Sequence, residues 1–332
     1  MKVTVKANAN IALTKYWGKK DASLKTPWNS STSVTLEGLE TTTTVEFDKK
    51  YKTDVFVLDG KNFEETTDEF KEVKEQLDII RGKAKIDLKA KVMSKNDFPT
   101  AAGFASSASG LAALTFASAK AAGLNLSTKE LSIISRMGSG SASRSLIDGF
   151  AIWHRGSAVD GLDSFAEQIA PKEHWPEFRI LGCVVSKNAK KIKSRAGMAQ
   201  SVKTSPIFET WYTTAEKDAQ AMVQLIKDKN FEALGQLAQK NCLLMHACAI
   251  TTTPPVIYWA PGTLEVMHRV LELQDEGMKC YFTMDGGPQV KIICLEKDVK
   301  AIKKEIKKLD FVHDIIECKP GMGPREVKGH LF

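Results

Sequence analysis

The sequence predicts an α+β protein of two domains, and three observations carry that expectation. Its 332 residues suffice for about two sizeable cores, at one domain per ~150 residues. In the first half, stretches of period-two alternation are interleaved with helix-start signals. Beyond Ser186 the order becomes helix, strand, turn, strand, helix, strand, which is the pattern of an α+β unit. The division is therefore placed at 185/186, giving domains 1–185 and 186–332.

The elements follow in chain order. Residues 41–47 and 54–58 read as strands. Thr66 with Glu69 forms a capping box for a helix whose Phe70, Val73, Leu77 and Ile80 recur at helical spacing. Residues 85–92 alternate strictly, with Ile86, Leu88, Ala90 and Val92 on one face and Lys85, Asp87, Lys89 and Lys91 on the other, so they read as a half-buried strand. An Ala-rich helix follows over 111–122, and a second box, Ser127 with Glu130, starts the next. Ser205 as N-cap and Pro206 in the first turn open a long helix to about Lys229. Residues 263–276 form another, closed by Gly277. Strands 279–284 and 289–295 flank the turn Asp285-Gly286-Gly287-Pro288, and a helix striped by Val299, Ile302, Ile306 and Leu309 precedes strand 315–318.

Composition narrows the function classes. The 43% hydrophobic and 26% charged fractions are those of an ordinary soluble globular protein. The net charge of +7, from 47 basic and 40 acidic residues, is spread along the chain and suits an anionic small substrate, because a cationic cleft steers phosphates inward. An RNA-binding module is the rival from another class. Acidic residues interrupt most basic runs, and no aromatic-basic interleaving of the RNA-recognition type is present. Six cysteines without a Cys-x-x-Cys pair read as buried thiols of a reducing compartment. No apolar leader follows Met1, and the longest apolar run, around 242–250, is too short to span a bilayer. These features place the protein in the cytoplasm with no membrane partner.

Four segments carry candidate chemistry. The run Phe98-Pro99-Thr100-Ala101-Ala102-Gly103-Phe104-Ala105-Ser106-Ser107-Ala108-Ser109-Gly110 opens the Ala-rich helix. Small side chains let a backbone close on an anion, and a helix N-terminus favours negative charge, so the run reads as a phosphate cradle or as a tight strand-to-helix turn. Met137-Gly138-Ser139-Gly140-Ser141-Ala142-Ser143-Arg144-Ser145-Leu146 is a second Gly/Ser-rich turn entering a helix. Its single guanidinium matches a carboxylate or phosphate. Asp285 in Asp-Gly-Gly-Pro is either a hairpin turn residue or a reactive carboxylate, and spacing alone leaves both open. The run Lys187, Lys190, Lys191, Lys193 and Arg195 is in the main a solvated basic hairpin.

The segment Asn10-Ile11-Ala12-Leu13-Thr14-Lys15-Tyr16-Trp17-Gly18-Lys19-Lys20-Asp21, followed by Pro27-Trp28-Asn29-Ser30-Ser31-Thr32, closely resembles the opening of diphosphomevalonate decarboxylases of the GHMP kinase superfamily. The resemblance continues in order through Asn96-Asp97-Phe98-Pro99, Gly138–Leu146, Ser194-Arg195-Ala196-Gly197-Met198, Tyr258-Trp259, Asp285-Gly286-Gly287-Pro288 and Pro320-Gly321-Met322-Gly323-Pro324. It implies a two-domain GHMP-kinase-like fold with the active site in the cleft. The implied activity is ATP-dependent decarboxylation of (R)-5-diphosphomevalonate to isopentenyl diphosphate, with ATP and Mg²⁺ required and a homodimer expected. By motif match Asp285 sits against the 3-hydroxyl and Arg144 holds the carboxylate, with Lys15 and Ser107 completing the catalytic set. Asn10, Tyr16, Lys19, Ser139, Ser141, Ser194 and Arg195 are implied on the substrate. Ser94, Asn96, Ala102, Gly103, Ser106, Ser107 and Lys190 are implied on the nucleotide, with Ser107 also toward the metal. His246 and His154 read as packed or surface residues.

Four positions depart from the family pattern. Gly286 and Gln289 replace the usual alanine and asparagine of Asp-Ala-Gly-Pro-Asn, Asn8 stands where a proline is usual, and Lys193 where a serine is. These departures leave open whether the substrate carries a 5-phosphate or a 5-diphosphate. Relatives that decarboxylate 5-phosphomevalonate, or that only phosphorylate the 3-hydroxyl, share the same fold.

Overall fold

A computed structural model describes residues 1–98, 106–188 and 191–332, without the side chain of Ser106. Ala102, Gly103 and Lys190 lie outside the described residues. The N-terminal half contains β1 (Lys2–Ala12), β2 (Ser31–Phe47), β3 (Val55–Leu58), β4 (Lys61–Phe63), α1 (Asp68–Ala84), β5 (Ala90–Asn96), α2 (Ser106–Ala121), α3 (Thr128–Gly138), β6 (Phe150–Trp153) and β7 (Ala166–Ala170). The C-terminal half contains β8 (Phe178–Val184), α4 (Ser194–Thr204), α5 (Phe208–Lys227), α6 (Phe231–Ile250), α7 (Pro261–Asp275), β9 (Tyr281–Thr283), β10 (Val290–Leu295), α8 (Val299–Ile306), β11 (Asp314–Pro320) and β12 (Arg325–Glu326).

Strand β2 is the hub. Its Thr- and Val-rich second half pairs antiparallel with β1 and β5, its first half pairs with β6, and Leu36 and Glu37 meet Pro320 and Lys319 of β11. Through that junction the path β4-β3-β5-β2-β11-β8-β10-β9 runs from one half into the other. The division at 185/186 falls just after β8, whose hydrogen-bonded neighbours β10 and β11 both belong to the C-terminal half.

Two cores flank the strands and a third spans them. Helices α1, α2 and α3 bury Leu77, Ala113, Leu114 and Ile134 against Val5, Val45 and Val92. In the C-terminal half Val266, Val270 and Ile302 close on Phe282, Val290 and Ile292. Between them Ile11, Val34 and Phe150 pack with Phe178, Met222, Ile226 and Tyr281, so burial of apolar area ties the halves together.

Several expected elements shift. The strand expected over 85–92 is observed over Ala90–Asn96, because α1 runs on to Ala84 and ends with Lys85 in the left-handed region at φ 55°. The cap of α1 is Thr67 rather than Thr66, its side chain accepting from the Phe70 N–H. The box of Ser127 and Glu130 forms as expected. Ser205 is not an N-cap: it ends α4, its N–H donating to the Ser201 carbonyl, and α5 begins at Phe208. The turn before Arg144 enters a 3₁₀ segment, Gly140–Leu146, instead of an α-helix. All six cysteines are buried and unpaired, and burial pushes the Cys183 thiol up to about 12.

Candidate active site

The site is assembled on the chain that leaves β1. Lys15 is 1% exposed, and its Nζ donates to the Ala12 carbonyl at 2.7 Å and to Asp285 Oδ1 at 3.0 Å. Its backbone is clamped on both sides, since the Lys15 N–H donates to Asn241 Oδ1 at 2.7 Å and the Lys15 carbonyl accepts from Asn29 Nδ2 at 2.8 Å. Asn241 in turn donates to Asp218 Oδ2 at 2.9 Å. All three of these partners are buried.

Asp285 follows β9, and α6 fixes it from behind. One residue earlier the Met284 N–H donates to Cys242 Sγ at 3.0 Å, one residue along α6 from Asn241. The same helix thereby holds the backbones that present both members of the Lys15–Asp285 pair. Burial disfavours the ionised Asp285, but the positive charges of Lys15, Lys291 and Arg144 and the hydrogen bond from Lys15 outweigh it. The carboxyl is held below the ordinary range.

Arg144 is 3% exposed in the 3₁₀ segment. Its Nη1 donates to Ser31 Oγ at 2.6 Å and its Nε to Asn10 Oδ1 at 3.4 Å, while the guanidinium stacks 5.8 Å from the Trp153 ring centre. Among the described residues no carboxylate lies within ion-pair distance of it. Burial lowers its pKa to about 10, against the opposing influence of Asp285 and Tyr16, so it remains charged at neutral pH. Asn10 is itself fixed, donating to the Ser141 carbonyl and to Ser145 Oγ. Gly140 is required here by close approach: a Cβ would lie 2.5 Å from Trp153 and 3.0 Å from Tyr16.

Tyr16 packs edge-on to Trp153 at 4.8 Å, and among the described residues its buried hydroxyl has no hydrogen-bond partner. Burial raises its pKa despite the nearby Arg144 and Arg195, so it is a neutral hydroxyl. Lys19, half-buried, loses basicity through burial and the adjacent Arg195 and Lys25, with Glu72 and Glu75 opposing. Arg195 pairs with Glu72 at 2.5 Å and donates to the Gly138 carbonyl at 3.0 Å. Ser139 and Ser141 share a hydrogen bond at 3.1 Å, and Ser194 Oγ donates to the Gly286 carbonyl at 3.4 Å.

Of the residues implied on the nucleotide, Ser107 is exposed in the first turn of α2, a turn without acidic residues. Ser94 is buried with its hydroxyl on Thr43, and Asn96 bonds Asp59 and Thr41. Of the departures, Gln289 bridges Val185 and Ser186 of the chain leaving β8, Lys193 is exposed beside Asp68 and Glu69, and Asn8 donates to the Met322 carbonyl. His246 is buried against Trp259, and burial lowers its pKa to about 3.

Residues 7–166 match the family of diphosphomevalonate decarboxylase-like N-terminal domains, and residues 180–320 match the mevalonate 5-diphosphate decarboxylase C-terminal domain. The diphosphomevalonate decarboxylase mvd1 of Aspergillus fumigatus is 37% identical over 324 residues, covering 92% of this chain and 80% of that protein. The chain belongs to the diphosphomevalonate decarboxylase family. Its fold is that of the solved family members. The mevalonate diphosphate decarboxylase of Staphylococcus aureus superposes with a TM-score of 0.93 at 37% identity, covering 98% of each chain. MDDEF in complex with MVAPP, AMPPCP and magnesium superposes at 0.91 with 40% identity, covering 99% of each.

Against the family motifs, the structure couples Lys15, Asp285, Arg144 and Tyr16 electrostatically, with Asn10 hydrogen-bonded to Arg144, Arg195 near Tyr16 and Lys19 near Arg195. Asn241, Asp218, Asn29, Ser31, Lys291 and Glu72 escaped the sequence reading. Asn241, Asp218 and Glu72 act across a separation of many residues, Asn29 and Ser31 stood only inside a family motif without a role, and the signal available at Asn241 and Lys291 was that of a polar residue amid an apolar run.

Proposed function

We propose that Asp285, Lys15 and Arg144 carry the ATP-dependent decarboxylation of (R)-5-diphosphomevalonate to isopentenyl diphosphate, ADP, phosphate and CO₂. The observation that bears most weight is the buried guanidinium of Arg144 near the Lys15–Asp285 pair, with no carboxylate at ion-pair distance among the described residues. A buried cation without an anion is costly, and a substrate carboxylate relieves it.

The tertiary 3-hydroxyl is a poor leaving group. Its oxygen attacks the γ-phosphorus of ATP as the bond to ADP breaks and the hydroxyl proton is released to solvent; the new phosphate then leaves with its C–O bond electrons, while the C–C bond to the carboxylate supplies the alkene electrons and CO₂ departs. Asp285 accepts the hydrogen bond of the 3-hydroxyl and aims it. Its lowered pKa suits an orienting acceptor better than a proton store, and phosphoryl transfer asks more of positioning than of base strength. Lys15 holds Asp285 in that direction and adds positive charge near the transferring group.

The N-terminus of α2, with the exposed Ser107 hydroxyl, suits the nucleotide phosphates. Magnesium, bound through those phosphates and a hydroxyl such as Ser107, supplies charge neutralisation. Tyr16, Lys19, Ser194 and Arg195 take the 5-diphosphate, and Ser139 and Ser141 lie along the chain between it and Arg144.

We place the divide between the halves in the segment joining β7 to β8. The cytoplasmic location rests on the buried free thiols, and the homodimer on family resemblance. Among the described residues no helix is long and apolar enough to cross a membrane. The test is a panel of mevalonate, its 5-phosphate and its 5-diphosphate with ATP, following ADP and CO₂ together. Equal release from the 5-diphosphate is expected. ADP without CO₂ would make the protein a 3-kinase, and turnover of the 5-phosphate alone would move the substrate assignment.

A further inference from the structure

Helix α1 carries Asp68, Glu72 and Glu75 at i, i+4 and i+7, hence on one face, with Glu69 alongside. That face meets the cations of the substrate's phosphate end. Lys193 lies 3.5 Å from Asp68 and 3.9 Å from Glu69, Arg195 lies 2.5 Å from Glu72, and Lys25 lies 2.9 Å from Glu75. From the other side Lys25 and Arg195 donate to the adjacent carbonyls of Met137 and Gly138. Those carbonyls end α3, where the helix dipole is negative. Lys25, Lys193 and Arg195 thus pair with the four carboxylates, Lys19 feels the charge of Glu72 and Glu75, and the formal charge of the group is zero.

The pairs differ in weight. Asp68, Glu69 and Glu75 have side chains 70%, 50% and 58% exposed, where ion pairs contribute little. Glu72 is 21% exposed and makes the shortest contact of the set, on an Nη of the guanidinium that the functional reading gives to the diphosphate. A guanidinium offers a fixed fork of donors, so a carboxylate on one arm and a phosphate beside it repel each other.

We infer that Glu72 is the resident counter-ion of the phosphate end, occupying on Arg195 the donor that the substrate's diphosphate takes over, so that its displacement sets the affinity for the tail. The inference rests on the assignment of Arg195 to the diphosphate. It makes Glu72 a specificity-determining residue: a tail with enough charge displaces it, and a weaker anion does so less well.

The test is Glu72→Gln in the full chain, with initial rates against 5-diphosphomevalonate at saturating ATP and calorimetric titration of inorganic pyrophosphate. The expected result is a KM lowered about two- to fivefold, the worth of one partly exposed ion pair, with kcat moving less than KM and pyrophosphate binding tightening in step. Glu72→Asp, which keeps the charge but withdraws it by one methylene, gives a smaller shift in the same direction and stands in if the first variant does not fold. Glu232→Gln removes a carboxylate of similar kind from its 2.8 Å pair with Lys279 and is expected to leave KM unchanged. A raised or unchanged KM in Glu72→Gln, or an equal drop in Glu232→Gln, overturns the inference. The pyrophosphate titration reads the exchange without turnover. Tightening there with no decarboxylation in the wild-type chain keeps the exchange and removes the functional assignment instead.

Discussion

The two ends of the cleft are built differently. At the reacting end Lys15 and Arg144 are nearly inaccessible, Asp285 is held by Lys15, and buried amides and a thiol from other elements fix the backbone behind them. At the phosphate end Arg195 and Lys193 are 47% and 72% exposed, and their partners are the carboxylates of α1. Buried, hydrogen-bonded charges are little screened and hold one geometry, whereas exposed pairs exchange partners at small cost. One end is thereby preorganised for bond-making and the other adjustable for capture.

The largest break in that contrast is Asp285→Asn. The amide retains the shape but loses the charge that faces Lys15 and Arg144, and kcat is expected to fall ~10²-fold or more. Steady-state kinetics with a check of melting temperature decide it; near wild-type turnover in a folded variant removes Asp285 from the mechanism.

Next in size is the support behind Lys15. Asn241→Ala removes the acceptor of the buried Lys15 N–H and the amide on Asp218 Oδ2, leaving Asp218 with Lys240 alone. A small displacement of Lys15 is expected to lower kcat about 10- to 100-fold with a smaller change in KM. The pair Asn241→Asp with Asp218→Asn restores an acceptor for Lys15 and a donor to it, so it is expected to recover much of the rate. A purely structural role would lower stability without that kcat-specific loss or its recovery.

These residues show what the sequence made legible. The Lys15-Tyr16-Trp17-Gly18-Lys19 element, Arg144 and Asp285 stood out because unusual residue types sit in short, dense motifs. Asn241 did not, since it lies in α6 among Leu234, Ala238, Cys242 and Met245, where a buried amide and a packed polar residue look alike in one dimension. Glu72 carried no signal in the sequence, because its partner Arg195 lies in another element far along the chain. In the fold, residues 86–89 kept the alternation of a strand but precede β5, which begins at Ala90. Lys85 in the left-handed region carried no glycine to mark the end of α1. The Thr66-Thr67 pair offered two equivalent caps, and Ser205 could end one helix as readily as begin the next.

Smaller effects sharpen the phosphate end. Burial and its cationic neighbours lower the Lys19 pKa below its ordinary value, so Lys19 loses its proton earlier than a free lysine as pH rises. KM for the diphosphate substrate is therefore expected to climb on the alkaline side while the Asp285 charge, already complete, leaves that limb unaffected. Lys19→Arg, charged throughout, is expected to flatten the climb. Raising ionic strength should weaken KM several times more than it changes kcat, because the exposed pairs are screened and the buried cluster is not. A kcat that falls with salt as steeply as KM rises would erase the distinction between the ends.

The smallest expected effect concerns the acid stability of the buried end, at His246. Its imidazole is buried beside Trp259, and burial, reinforced by the charge of Lys15, depresses its pKa from 6.5 to about 3. The depressed value fixes the sign. Above about pH 6.5 the ring is neutral in both folded and unfolded chains, and its contribution is fully present. As pH falls from there toward 3, the unfolded chain binds the proton and the folded chain does not, so stability is lost at up to about 1.4 kcal/mol per pH unit. His246→Phe keeps a ring of similar size against Trp259 and cannot titrate. Urea unfolding at pH 7 and pH 5 is expected to show a smaller loss in the variant than in the wild-type chain. Equal losses would mean that His246 is protonated in the folded state and that the reacting end admits more water than its burial indicates.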